Sequence, residues 1–470
     1  MFILGIASIL ACSFGAVSAM GPLKAHPDNP RYFADGTGKA VYLVGSHTWS
    51  NMKDMGKTDP PPPFDFDSYL DFMQQYNHNF IRLWTWELSK YAYNESITYA
   101  QSFPWHRTGP GNALDGKPKF DLEKPNQDYF DRLRSRVVAA YDRGIYVSVM
   151  LFEGHGLHAS LAPWCWDGDP FNVNNNVNGI DGDPDGDGRG IETQTMQVPA
   201  VTKIQETYVR KVIDTVNDLD NVLYEVVNES GRYSTEWQYH IIEYVHDYEK
   251  SKPKQHPIGM TFQFARAEEH KGKNSTLFDS PADWISPNPD GGYRDNPPVD
   301  NRGKVILNDT DHLWGIGGNQ AWVWKSFCRG LNPIFMDPYS ETQYGENDSA
   351  WTDHLSGKTV LDPRWEPIRK SMGYTLRYAS RMNLASAKPH NDLASTKYCL
   401  ANPGVEYLVY LPDGGNVTVD LSAASGTLAV EWFDPSTDET TSAEAIAGGG
   451  KQDLAAPFSG DAVLYITAGD

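Results

Sequence analysis

Apolar residues gather along the chain into two kinds of run. One kind is short, continuous and rich in β-branched side chains: Val41–Gly45, Asn79–Trp84, Ile145–Phe152, Val222–Ser230, Pro257–Phe262, Trp284–Ser286, Lys304–Asn308 and Pro333–Met336. The other returns to an apolar residue every three or four positions: Phe64–Asn77, Asn126–Arg143, Pro199–Leu219, Thr235–Lys250, Asn319–Arg329 and Pro363–Met382. Continuous apolar runs bounded by turn residues fit strands buried on both faces, and the longer period fits amphipathic helices. The two kinds alternate, with eight strands in all. This predicts an α/β protein of parallel βαβ units closed into a (β/α)8 barrel, or TIM barrel. An open doubly wound sheet is the rival, but it normally carries a glycine-rich phosphate loop after its first strand, where this chain has Gly45-Ser46-His47-Thr48-Trp49.

Asn29–Gly45 reads as a hairpin turning at Asp35-Gly36 and leading into the first strand. Two stretches lack either period and are expected to be long loops. One is the Pro/Gly/Trp-rich segment before Asn126, and the other covers about forty residues after strand three; loops of that length are usually functional. Beyond residue 385 the pattern changes. Short alternating runs at Tyr398–Leu400, Glu406–Leu411, Val417–Leu421, Leu428–Phe433 and Ala462–Ile466 are separated by clusters such as Pro412-Asp413-Gly414-Gly415, the pattern of a small antiparallel β-sandwich. The expected organisation is therefore a signal peptide over 1–19, a barrel over 20–384 and a sandwich domain over 385–470. The signal peptide rests on the apolar stretch 2–19 with Val17-Ser18-Ala19 as its cleavage site, although the usual basic start is missing; a lipid-anchored Cys12 is the alternative. A secreted or extracytoplasmic protein follows from either.

The chain carries 40 Lys+Arg against 61 Asp+Glu, a net charge of −21, which argues against nucleic acid and anionic membrane surfaces as partners. Aromatic residues make up 12%, a surplus that suits both core packing and stacking on sugars. Cys165, Cys328 and Cys399 allow at most one disulfide and do not resemble a zinc site.

Candidate chemistry lies at the carboxyl ends of the predicted strands, where barrels keep it. Strand four ends on Asn228-Glu229, and strand seven is followed by Asp309 and Asp311. Two carboxyl groups across a barrel mouth can flank a glycosidic bond: one protonates the departing oxygen, and the other attacks the anomeric carbon or activates water. Asn228 can hold a sugar hydroxyl. Glu153, after strand three, is a rival acid without a preceding Asn. Arg82 is expected to pair with a barrel carboxylate, Glu225 being the first choice. His47, Trp49, Trp84, Trp86, His155 and His312 fall at or near strand ends and are expected to line the mouth as substrate-binding groups.

These motifs resemble those of the clan A glycoside hydrolases. The run VLYEVVNES is similar to their strand-four motif, in which the Glu after an Asn is the acid/base, and Asn79-Phe80-Ile81-Arg82-Leu83 is similar to their strand two, whose Arg supports the nucleophile. The layout over roughly residues 21–470, with its opening N-P-x-x-F-x-D-G-x-G-K hairpin and closing β domain, looks like the apiosidase-like hydrolases with a putative collagen-binding-type domain. The resemblance implies Glu229 as acid/base. It departs at strand seven, where the clan has Glu and this chain has Asn308-Asp309-Thr310-Asp311-His312. An ungapped overlay puts Asp309 at the nucleophile position with Asp311 as the substitute, and a retaining outcome. Both aspartates face the barrel axis if the strand continues.

A second signal is Asp181–Glu192, DGDPDGDGRGIE. Asp181, Asp183, Asp185 and Glu192 stand at positions 1, 3, 5 and 12 with Gly186 at 6, the spacing of a calcium loop. No flanking helix pair is evident, and Gly188 stands where an apolar residue is usual. The expected role is a structural calcium, with no cofactor needed for catalysis. No H-E-x-x-H, G-x-S-x-G or P-loop occurs. The sequence thus points to a secreted glycoside hydrolase. A non-catalytic carbohydrate- or matrix-binding protein on the same scaffold is the alternative.

Overall fold

Eight parallel strands form the centre of the computed structural model, which describes residues 21–93, 96–158, 165–339 and 363–468. They are β1 (Gly45–His47), β2 (Phe80–Leu83), β3 (Tyr146–Glu153), β4 (Val222–Asn228), β5 (Ile258–Thr261), β6 (Trp284–Ser286), β7 (Val305–Asp309) and β8 (Asn332–Met336). Parallel ladders join them in the order β1-β8-β7-β6-β5-β4-β3-β2. Between β1 and β2 there is no ladder. Asn79 bridges the seam, its backbone N–H donating to Val44 O (3.0 Å) and its side-chain amide to Tyr42 O (2.8 Å) while its Oδ1 accepts from Val44 N (2.9 Å). The strands come so close here that a Cβ on Gly45 would lie 2.0 Å from Phe80 O, so only glycine fits. The first strand lies further along than the sequence pattern indicates. Ala40–Val41 belongs to the preceding hairpin, pairing with Phe33–Ala34 around the expected turn.

Helices α1 (Phe66–Gln75), α2 (Gln127–Tyr141), α3 (Pro199–Val216), α4 (Thr235–Glu249), α5 (Asn274–Asp279), α6 (Gln320–Cys328) and α7 (Glu366–Arg381) surround the strands. Asp65 and Asn319 cap α1 and α6 by accepting from Ser68 N and Trp322 N, and a proline opens α3. Inside the barrel Leu43, Phe80, Tyr146, Leu223, Trp284, Val305, Leu307 and Ile334 form an apolar floor. The next layer up the same strands is charged: Arg82, Glu225 and Asp309, each fully buried. On β2, β4 and β7 the switch from apolar to ionic takes place over two residues, Phe80 to Arg82, Leu223 to Glu225 and Leu307 to Asp309.

The segment expected to be a loop before α2 is in fact folded. Lys90–Tyr93 and Ser96–Gln101 form a sheet with Asp54–Gly56, and Trp105–Asn112 pairs with Pro118–Pro125. In Trp105–Asn112 and Pro118–Pro125, the Pro and Gly residues and the solvent-facing positions remove the apolar alternation that signals a strand.

After α7 the chain forms a six-stranded antiparallel sheet, with Glu406–Leu411, Ala462–Ala468 and Thr427–Asp434 at its middle, and a two-stranded sheet of Asn416–Asp420 and Lys451–Ala455. Two of these strands, Glu439–Ala447 and Lys451–Ala455, have no apolar pattern because they lie largely in solvent. One face of the large sheet packs on the barrel. Trp324 of α6 stacks on Tyr410 (6.1 Å, 17°), and Phe433 lies 5.6 Å from Tyr378 of α7. Cys328 and Cys399 are buried free thiols. Among the described residues no helix is long and apolar enough to cross a membrane. The predicted signal segment 1–19 lies outside the described residues.

Candidate active site

Arg82, at the third position of β2, organises the barrel mouth from below. All five of its N–H donors are used. Nε and Nη2 form a fork on Glu225 (2.8 and 2.5 Å), Nη2 also donates to Asn228 Oδ1 (2.9 Å), and Nη1 donates to Asp309 Oδ2 (3.0 Å) and Asp311 Oδ2 (3.2 Å). The guanidinium lies 4.8 Å from the Trp84 ring centre. A buried guanidinium satisfied by three carboxylates stays charged. Burial disfavours the charge, but Glu225 and Asp309 more than offset this, and the group is held above its ordinary range.

The two aspartates after β7 are brought to the same guanidinium by different routes. The strand ends at Asp309, which caps the turn Thr310–Leu313 by accepting the Asp311 N–H on Oδ1 (2.9 Å). Asp311 therefore reaches Arg82 from a helical turn and not from the continued strand face that the residue parity suggests. Asp309 is fully buried, and Oδ1 also accepts from His47 Nε2 (2.9 Å). The His47 tautomer is fixed because the indole N–H of Trp84 donates to Nδ1 (2.9 Å), leaving the proton on Nε2. Burial alone would push Asp309 up, yet His47 and Arg82 hold it well below the usual carboxylate range. Asp311 is the opposite case: burial pushes it up to about 7, with Arg82 opposing and Asp309 adding to the rise.

Glu229 follows β4 in a left-handed conformation, φ +48°, which for a residue other than glycine costs about 1–3 kcal/mol. Just before it, Asn228 bonds Arg82, as does Glu225 three residues earlier. The turn is pinned on both sides. Gly154 N donates to Asn228 O (2.9 Å) and His158 Nε2 bonds Glu229 O, while a Cβ on Gly154 would lie 2.7 Å from Ser230 Cα. Burial pushes the Glu229 carboxyl well above its ordinary range, and Asp311 is the largest charge adding to that effect, ahead of Glu153.

Above this layer opens a cavity of about 530 Å³. Glu229, Asp311, Asn228 and Glu153 line its base, and Trp49, Trp84, Trp86, His155 and His312 line its walls. Arg82, His47 and Asp309 lie one layer below and are not part of the lining; they touch the carboxylates from behind, so the expectation that Arg82 and His47 contact substrate gives way to a supporting position. His312 has its Nδ1 on Ser286 Oγ (2.7 Å) and its buried Nε2 without a protein partner, 3.8 Å from Asp311 Oδ2. Burial lowers it to about 3, so it is neutral. Glu153 accepts from His155 N (2.8 Å) and Gly156 N (3.1 Å), and burial raises it to about 8. Sequence reasoning missed Tyr91, Phe262, Phe264, Arg294 and Trp314 in the walls. Tyr91 lies in the unrecognised sheet, where its hydroxyl bonds His155 Nδ1 (2.6 Å); Phe262 closes the predicted fifth-strand run, directly after β5, and Phe264, Arg294 and Trp314 sit on loops that carry no periodic signal.

In the acidic loop Asp183, Asp185 and Glu192 bring carboxylate oxygens within 4.8 Å of one another. Asp181 stands outside this group, exposed, with its Oδ1 bonded to Asp183 N (3.1 Å).

Residues 96–264 match the family described as "Domain of unknown function (DUF6298)", and residues 389–466 match the "Putative collagen-binding domain of a collagenase". Among curated proteins none matches the chain by sequence. Solved structures with the same fold include a glycoside hydrolase family 5 protein from Bacteroides vulgatus ATCC 8482, with 12% identity, 95% of this chain and 92% of that one covered, and a TM-score of 0.62. A putative glycoside hydrolase from the same organism also has 12% identity and a TM-score of 0.62, over 95% and 82% of the two chains. A third, described as a glycoside hydrolase, has 12% identity over 95% and 97% with a TM-score of 0.57. At such identity the likeness is one of fold: a (β/α)8 barrel followed by an antiparallel β domain.

Proposed function

We propose that the protein is a glycoside hydrolase that cleaves an O-glycosidic bond of a poly- or oligosaccharide outside the cytoplasm, with Glu229 as general acid/base and Asp311 as nucleophile. The observation that carries this reading is the pairing of two cavity-lining carboxyl groups in unlike environments. Glu229 has no cation in direct contact and keeps its proton, so it can protonate the leaving oxygen. Asp311 lies on Arg82, which favours its ionised form and orients it. Both carboxyl groups line one cavity, and in this scheme Asp311 attacks directly, with retained anomeric configuration. In the first step Asp311 Oδ attacks the anomeric carbon as the glycosidic C–O bond breaks and the Glu229 proton passes to the departing oxygen. In the second, Glu229 takes a proton from water, whose oxygen displaces Asp311.

Asp309 fits the nucleophile less well, because both of its oxygens are held, by His47 and Asp311 N on Oδ1 and by Arg82 on Oδ2, and it has no face on the cavity. Its part in this scheme is to hold Arg82 and the Asp311 turn. Asn228, His312 and the Trp49, Trp84 and Trp86 rings would bind sugar hydroxyls and faces. The β domain, whose apolar face is spent on α6 and α7, would buttress the barrel. The likeness in fold to glycoside hydrolases supports the same reading. Screening the chain and its E229Q variant against aryl glycosides and plant and microbial polysaccharides tests it. Turnover by the parent is expected, with its loss in the variant on every substrate except aryl glycosides whose leaving groups need no proton; glycan binding without turnover in the parent would make it a carbohydrate-binding protein instead.

A further inference from the structure

We propose that the loop 183–192 is a calcium site, formed by the carboxylates of Asp183, Asp185 and Glu192, and that the bound ion fixes one wall of the cavity. The three side chains come from positions 3, 5 and 12 of the acidic run, and Gly186 supplies the left-handed turn between them, φ +72°. Close approach of three carboxylates is unfavourable without a cation. Among the described residues none of the three enters an ion pair, and the nearby Arg189 is instead 3.8 Å from Asp187. The independent sign of a missing ligand is Glu192. Its side chain is 6% exposed, yet Oε2 has no hydrogen-bond partner, and Asp183 Oδ1 is likewise buried and unpartnered. A buried carboxylate oxygen left unpaired is unfavourable, so two of them on residues of one carboxylate cluster need an explanation. An all-oxygen donor set selects a hard cation. Carboxylates spread over an irregular loop suit the variable coordination of Ca²⁺ better than the strict octahedron of Mg²⁺, and the set offers no nitrogen or sulfur for zinc.

The loop is built into the barrel wall. Gly182 and Gly190 close on the Trp166 ring from the two ends of the loop: a Cβ on Gly182 would lie 2.9 Å from Trp166 Cη2, and one on Gly190 2.3 Å from Cε3. Directly after Glu192, Thr193 O accepts from Gln205 of α3 (2.7 Å), and Gln194 Nε2 donates to Glu153 O (2.8 Å) at the end of β3. An ion that pulls the three carboxylates together therefore tightens the segment on which the Glu153 end of the cavity rests. This inference stands apart from the proposed hydrolase activity and is tested without it.

The test is Tb³⁺ luminescence on the full chain after chelator treatment, excited through tryptophan, with Ca²⁺ as competitor and thermal unfolding as a second readout. Trp166 lies against the loop, so sensitised emission should saturate at one ion per chain, be displaced by Ca²⁺, and fall in W166F at unchanged stoichiometry. Ca²⁺ should raise the melting temperature of the parent. E192Q should weaken Ca²⁺ by about tenfold or more, since it removes one of three anionic ligands. D183N/D185N/E192Q should bind no ion and, with the repulsion gone, melt no lower than the metal-free parent. Absence of saturable Tb³⁺ emission and of any Ca²⁺ effect on parent melting would overturn the proposal, as would full Ca²⁺ affinity in a folded triple variant.

Discussion

Arg82 Nη1 and Asp311 Oδ2 are 3.2 Å apart, the longest of the five hydrogen bonds that this guanidinium makes. Three of the shorter ones go to Glu225 and Asp309, which lie beneath the cavity, one goes to Asn228 in its lining, and the longest goes to the carboxylate of Asp311, which also faces the cavity. Arg82 thus ties the stability of the barrel to the orientation of the proposed nucleophile, Asp311. Arg82→Ala leaves Glu225 and Asp309 buried without their cation and should cost about 3–5 kcal/mol in urea unfolding. Arg82→Lys keeps the charge but not the fork. It should lose less stability while lowering kcat by about a hundredfold, because Asp311 is no longer held in line.

The aspartates should separate by phenotype. Asp311→Asn removes a charge that its surroundings disfavour, so melting should be unchanged or slightly raised while kcat falls about a thousandfold or more. Asp309→Asn removes a carboxylate that His47 and Arg82 stabilise, so it should melt markedly lower. Azide should rescue Asp311→Gly, giving a glycosyl azide of inverted configuration. Rescue of Asp309→Gly in its place would reassign the nucleophile.

Activity should follow a bell in pH. The working state needs Asp311 ionised and Glu229 protonated. With Asp311 pushed up to about 7 by burial and Glu229 pushed well above its ordinary range, the acidic limb should fall near neutrality and the alkaline limb above it. The two apparent values belong to the pair. Glu229→Gln should lose the alkaline limb and keep measurable turnover only on aryl glycosides whose leaving groups need no proton.

Glu153 predicts a pH-dependent stability. Its folded pKa is raised to about 8 by burial, from 4.5 unfolded, so between those values the folded chain holds a proton that the unfolded chain has lost. The stabilisation is fully present below the unfolded value and is lost as pH rises through the folded one. Melting curves from pH 4 to 9 (roughly the span of the two values) should show a decline that is shallower in Glu153→Gln. A decline of equal slope in the variant would assign the effect to other groups.

The barrel and the β domain should unfold together. Phe433 packs on Tyr374 (5.1 Å), Tyr378 (5.6 Å) and Trp324 (6.0 Å), so Phe433→Ala should destabilise the whole chain by about 3–5 kcal/mol. Calorimetry should show a single transition in the parent.

Much of the barrel is legible in sequence because a buried parallel strand must be continuously apolar and a covering helix must be amphipathic, as with Val222–Asn228 and Pro199–Val216. Strands without a buried face, such as Glu439–Ala447, leave no such trace. At the site, Glu229 and the Arg82–Glu225 pair follow from position on their strands. The split between Asp309 and Asp311 does not, because it depends on where β7 stops and the Asp309 cap turns the chain. His47 shows the same limit: its place near a strand end suggests the mouth, while Trp84 and Asp309 hold it beneath.

The most direct test of the central claim is covalent trapping. The chain is incubated with an activated 2-deoxy-2-fluoro glycoside of a sugar that it hydrolyses, and the adduct is mapped by peptide mass spectrometry. One glycosyl group per chain on Asp311 is the predicted result. An adduct on Asp309, Glu153 or Glu229, or no adduct together with an inverted product, would contradict it.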